Sequence, residues 1–154
     1  MRKSVFLLIC ILFTLNSNCS PKALNQDKPV TNEEIILVYS ANSRGFYKKI
    51  TFQNQTIYVS NERSEKEMPE IVKVSDADWK QIVKYIKGIN LNTVSKLESP
   101  TKKRLYDGAA IAGLKITYKG KTYETASFDH GFPPKEIKKL VDRILKITDK
   151  KNDN

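Results

Sequence analysis

The sequence predicts an α+β domain: an antiparallel sheet of about five strands built from hairpins, with two amphipathic helices packed on one face, in the order β-β-β-α-β-β-α. Three observations predict it. Residues 109–118 and 121–128 each alternate apolar with polar positions about a Lys119-Gly120 turn, the pattern of a hairpin with one buried face. Two other stretches, one after Ser75 and one after Pro133-Pro134, repeat apolar residues three and four apart, the period of a helix face. Between residues 34 and 60, short β-branched runs are separated by turn residues rather than by helical spacing.

Taken in order, residues 35–39 form a continuous apolar run, Ile35-Ile36-Leu37-Val38-Tyr39, that reads as a buried strand. Ser43-Arg44-Gly45 supplies a turn. Residues 46–52 and 56–60 then read as a hairpin around Gln53-Asn54, since Asn tolerates the left-handed backbone of a tight turn. Residues 62–70 are charged and contain Pro69, which argues for a solvated loop. Ser75 caps the first helix, Asp76 and Asp78 favour its first turn, and Gly88 ends it. Trp79, Ile82, Val83 and Ile86 share its apolar face, so all four are expected in the core.

Residues 90–101 read as irregular. The two-residue turn at Lys119-Gly120 sets Lys115 opposite Glu124, Ile116 opposite Tyr123 and Leu114 opposite Thr125. Charged and apolar pairs thereby fall on opposite faces. Pro133-Pro134 stops the strand and opens a second helix with Ile137, Leu140, Val141 and Ile144 on one face. The domain is expected over residues 34–148, with a disordered tail at 149–154.

The amino terminus carries an address. Arg2 and Lys3 precede an apolar run from Val5 to Leu15, too short to span a bilayer, and Cys19 follows Asn16-Ser17-Asn18. This stretch resembles a bacterial lipoprotein signal, with Leu15 four residues before the cysteine. The resemblance implies cleavage after residue 18, acylation of Cys19 and a membrane anchor in the cell envelope, its leaflet left open. Residues 19–33, with Pro21, Pro29 and a polar run at 25–28, read as the tether. The chain of 154 residues has 27 Lys and Arg against 17 Asp and Glu, a net charge of +10 that loses only two units with residues 1–18.

Catalytic chemistry is sparse. His130 is the single histidine and Cys10 and Cys19 are the two cysteines, which argues against zinc and iron–sulfur sites. Six glycines form neither a phosphate-binding loop nor a nucleophile elbow. The chain is therefore read as a non-enzymatic domain without a cofactor. Lys102-Lys103-Arg104 and Arg44 with Lys48-Lys49 are basic clusters without an interleaved aromatic platform, so they read as solvated faces rather than a nucleic-acid reader.

Continuing the hairpin register brings Asp107 opposite Phe132 and gathers residues 104–108 beside residues 129–134. Charge, exposed rings and rigid turns there suit protein recognition. The candidate binding residues are Arg44, Phe46, Tyr106, Asp107, Asp129, His130 and Phe132. As a whole the chain resembles the small uncharacterised lipoproteins of Bacteroidetes-type bacteria, which implies an address without an activity. Ser43-Arg44-Gly45-Phe46, Asp107-Gly108-Ala109 before a strand, Gly120 in a hairpin and Pro133-Pro134 before an apolar and basic helix resemble emfourin, a proteinaceous inhibitor of thermolysin-like metalloproteases. That resemblance implies an envelope protease as partner. The alternative expectation is a lipid or other small ligand held between helices and sheet.

Overall fold

The strand that begins at Ile35 is longer than its apolar run and becomes the middle of the sheet. In the computed structural model, which describes residues 34–64 and 67–149, β1 spans Ile35–Ser43 and buries Ile35, Leu37, Tyr39 and Ala41 on one face. Strands β2 (Phe46–Gln53) and β5 (Ile111–Tyr118) flank it, both antiparallel. Outward from these lie β3 (Thr56–Ser60) and β4 (Glu70–Lys73) on one side and β6 (Lys121–Glu124) on the other. The order is β4-β3-β2-β1-β5-β6, and the two-residue β7 (Phe128–Asp129) adds to β5. Among the described residues two α-helices, α1 (Asp76–Lys87) and α2 (Lys135–Asp149), complete the α+β architecture. Two short 3-10 helices, Leu91–Lys96 and Lys103–Tyr106, occupy the connection between α1 and β5.

One face of the sheet supplies the core. Leu37, Ile50, Phe52, Ile57, Leu114 and Ile116 pack with Ile82 and Ile86 of α1 and with Ile137, Leu140, Val141 and Ile144 of α2. The alternate β1 residues Ile36, Val38, Ser40 and Asn42 are only half-buried, as expected where the strand period of two sends them to the opposite face. Ser75 caps α1 by accepting the Asp78 backbone N–H at 3.2 Å, and Arg143 on α2 ties back to the Asp78 carboxylate.

Four expectations are corrected. The sheet has seven strands rather than about five. One of the added strands, β4, starts at the end of the charged stretch expected to be a loop: Val72 pairs with Ile57 and Ile71 with Tyr58, so a neighbouring strand imposes extension that a two-residue apolar run does not signal. The β2–β3 turn is Asn54-Gln55, both left-handed at φ 51° and 57°, one residue later than expected. Trp79 and Val83 lie at the margin of the core, half-buried, with the Trp79 ring stacked on Phe52 at 5.3 Å. The stretch read as irregular contains the 3-10 turn at Leu91–Lys96, whose Val94 is buried.

The second hairpin follows its expected register at first, with Lys115 opposite Glu124 and Ile116 opposite Tyr123. Then it slips. Between the Lys115–Glu124 and Ala112–Phe128 pairs, β5 advances three residues and its partner four. One extra residue in an antiparallel strand turns every later side chain to the other face. Here it sends Phe128 into the core beside Tyr39, where an unbroken register would have sent Ser127.

The topology gives the sheet two unlike ends. The β1–β2 turn, the start of β5 and β7 lie at one, and Ile35 with the turns Asn54-Gln55 and Lys119-Gly120 at the other. The nine residues of β1 separate these ends by about 26 Å.

Candidate functional site

Asp129 follows core-facing Phe128 and so takes the other face of the sheet edge beside Ile111, and the loop corner is assembled on it. Its carboxylate is fully buried and accepts four hydrogen bonds: Thr101 Oγ1 at 2.5 Å, the backbone N–H of Lys103 at 2.7 Å, the backbone N–H of Arg104 at 3.1 Å and Arg104 Nη1 at 3.1 Å. Burial alone would raise its pKa. The bonds from Thr101, Arg104 and Lys103 outweigh burial and hold the group at about 2, ionised. Arg104, its side chain only 14% exposed, also donates to the Thr101 carbonyl. Two loops distant in sequence are thus pinned to one anion.

His130 fixes the same corner to the sheet. Its backbone N–H donates to the Ala110 carbonyl at 2.9 Å, and Tyr39 Oη lies 2.6 Å from its Nδ1. Burial raises the Tyr39 pKa well above the tyrosine range, against a smaller opposing effect of the Gly131 backbone, so the hydroxyl keeps its proton and shares a hydrogen bond with Nδ1. Burial and then the Lys48 charge lower the His130 pKa, while Asp149 opposes them. The neutral imidazole is favoured, with Phe46 tilted against its ring at 5.2 Å. Phe132 N–H closes the turn onto the Asp129 carbonyl at 2.8 Å, and Gly131 takes the φ of 83° that this reversal needs.

On this scaffold large apolar side chains face water. Leu105 and Tyr106 are each 71% exposed, Phe132 and Ile111 each 47%, and Phe46 37%. Lys103 Nζ lies over the Phe132 ring at 5.2 Å. Beside them a groove of about 890 Å³ runs between the β1–β2 turn, residues 61–63 and the Arg104–Asp107 loop, with Arg44, Tyr47, Arg63 and Ile111 in its walls. Arg63 donates to the Ser43 carbonyl at 3.2 Å and covers the Tyr47 ring.

The seven candidate residues therefore separate by role. Phe46, Tyr106 and Phe132 are exposed at the corner, and Arg44 and Asp107 line the groove. Asp129 is corrected from contact residue to internal anchor, because its side chain is inaccessible to any partner. His130 is half-buried and committed to Tyr39. Sequence reasoning missed Arg104 as the counter-charge of Asp129 and left Leu105 and Ile111 out. A Leu and a Tyr side by side in a basic stretch were the available signal for Leu105.

Cys19 lies outside the described residues. Among the described residues no group of three or more His, Cys, Asp or Glu is placed to hold a metal ion, and no helix is long and apolar enough to cross a membrane. No protein-family model, curated protein or solved structure matches the chain.

Proposed function

We propose that this chain is an envelope lipoprotein, acylated at Cys19, whose domain is a non-catalytic protein binder acting through the loop corner. The observation that carries the reading is the exposure of Leu105, Tyr106 and Phe132 on backbone that the buried Asp129 pins from beneath. A loop already held in one shape loses less entropy on association, and a small cluster of aromatic and apolar anchors supplies most of the energy of a typical interface. Arg44, Arg63, Lys102 and Lys103 outnumber Glu62 and Asp107 around the cluster, which favours an acidic partner surface and association that weakens with salt.

A thermolysin-like metalloprotease is the leading partner class, by the resemblance carried by Ser43-Arg44-Gly45-Phe46, Asp107-Gly108-Ala109 and Pro133-Pro134. The alternative, a small ligand between helices and sheet, gains no support from that space, which Leu37, Phe52, Ile82, Leu114 and Leu140 fill, each under 2% exposed.

The test is titration of thermolysin-like proteases with the full chain. Stoichiometric inhibition is expected, with Leu105→Ala, Tyr106→Ala and Phe132→Ala each weakening it at least tenfold and leaving the melting temperature nearly unchanged. Proteases that stay fully active at micromolar protein remove the inhibitor reading. Substitutions that lower stability alone make the corner structural.

A further inference from the structure

The end of the sheet opposite the corner has a different chemistry. β1 begins there at Ile35, which pairs with Tyr118, and the Lys119-Gly120 turn closes beside it. Lys119 Nζ lies 5.4 Å from the centroid of the Tyr118 ring, and Lys121 Nζ lies 5.1 Å from that of Tyr123. Both lysines are exposed and both rings half-buried. Since Tyr118 pairs with Lys121 and Ile116 with Tyr123, the strand period puts Tyr118, Lys121 and Tyr123 on one face of the tip.

A ring with a polar edge, next to an ammonium on a long apolar stem, suits the boundary between lipid tails and water. Here the rings are half-buried against the edge of the core, so their exposed edges meet the headgroups while the lysine stems let the charges reach phosphate. Exposed Lys73, paired with Thr56 beside the Asn54-Gln55 turn, adds a third cation at this end. Among the described residues Glu34 and Asp76 place carboxylates at this end, Asp76 accepting a hydrogen bond from Gln55, and Glu124 follows the tip, paired with Lys115.

The position matters as much as the composition. Cys19 precedes Ile35 by sixteen residues, which span at most about 55 Å when fully extended. The chain that leads from the anchor therefore enters the domain next to this tip. The loop corner lies about 26 Å further along β1.

We propose that the β5–β6 tip, Tyr118 to Tyr123, docks on the anionic headgroups of the bilayer that holds Cys19, so that the loop corner points away from the membrane. The inference rests on acylation at Cys19. Each lysine held near such a surface shifts the docked-to-free ratio about fivefold, so the pair contributes roughly twenty-five-fold, and the effect is screened by salt.

The experiment uses the full chain, processed and acylated as confirmed by intact mass. Processing removes Cys10 and acylation occupies Cys19, so Thr122→Cys or Tyr106→Cys adds one free thiol for a fluorophore. The labelled protein is placed on phosphatidylcholine vesicles with or without phosphatidylglycerol, with nitroxide-headgroup lipid as quencher. Quenching at position 122 on the phosphatidylglycerol vesicles, little at position 106, and most of it lost in Lys119→Gln/Lys121→Gln are expected. Equal quenching at both positions, none at 122, or quenching indifferent to the two lysines overturns docking while leaving the anchor intact. A mass without acyl chains removes the anchor and the inference together.

Discussion

Replacing Asp129 with asparagine changes one oxygen for a nitrogen and almost nothing in volume, yet the four donors around it make the exchange severe. Thr101 Oγ1, two backbone N–H groups and Arg104 Nη1 all point at the carboxylate. An amide has one acceptor oxygen and presents its NH₂ to groups that also donate. At least one backbone donor is then left unpaired, and the Arg104 guanidinium, 14% exposed, loses its counter-charge. Removing one partner of a buried charge pair typically costs about 3–5 kcal/mol, a large part of the roughly 5–15 kcal/mol that holds a domain folded. At about 4–8 °C per kcal/mol for a domain near this size, the melting temperature should fall by roughly 12–40 °C. Urea and thermal unfolding followed by circular dichroism measure both. The acid limb adds a signed check. The folded carboxyl titrates at about 2 and the ordinary value is 3.8, so its contribution is whole above pH 3.8 and disappears as pH falls toward 2. Asp129→Asn should lack that part of the acid dependence. A loss below about 1 kcal/mol, with the acid limb unchanged, would refute the anchor argument.

Tyr39→Phe removes the hydrogen-bond partner of His130 Nδ1 and should cost about 1–2 kcal/mol in urea unfolding, with the His130 midpoint followed by NMR. In the parent protein that midpoint lies below the ordinary 6.5, so the stability linked to His130 is present above pH 6.5 and falls as the solution is acidified through the folded pKa. Trp79→Ala should destabilise by about 2–3 kcal/mol, less than a fully buried Trp, since the ring is half-exposed but stacked on Phe52; a near-neutral result would show that the stack contributes nothing. Cys19→Ala should abolish acylation, read by intact mass after detergent extraction, and an unmodified parent protein beginning beyond Cys19 would end the lipoprotein reading.

What the sequence made legible is what is local. Ser75 caps α1 because its hydroxyl needs only the amide three residues on, and Lys119-Gly120 sets the Lys115–Glu124 register because a two-residue turn leaves no freedom in its neighbours. Strand β4 stayed hidden since Ile71 and Val72 are extended by the pairing that β3 offers rather than by their own pattern. The slip before Phe128 was half visible. Reading the strand in strict alternation turns a phenylalanine to solvent and a serine to the core, a conflict that one inserted residue removes. The same insertion decides the candidate site. In strict alternation Asp129 would share the core face with Ser127; shifted by one, it takes the opposite face beside Ile111, where Thr101, Lys103 and Arg104, 25 to 28 positions away, cover it and supply its donors. The exposed display of Leu105, Tyr106 and Phe132 follows from this, because backbone held from beneath by a buried anion leaves these apolar side chains outside. A contact cluster and its support thus have one origin. Disrupting the insertion, for instance by deleting Ala126, should therefore abolish the corner and the Phe128 packing together.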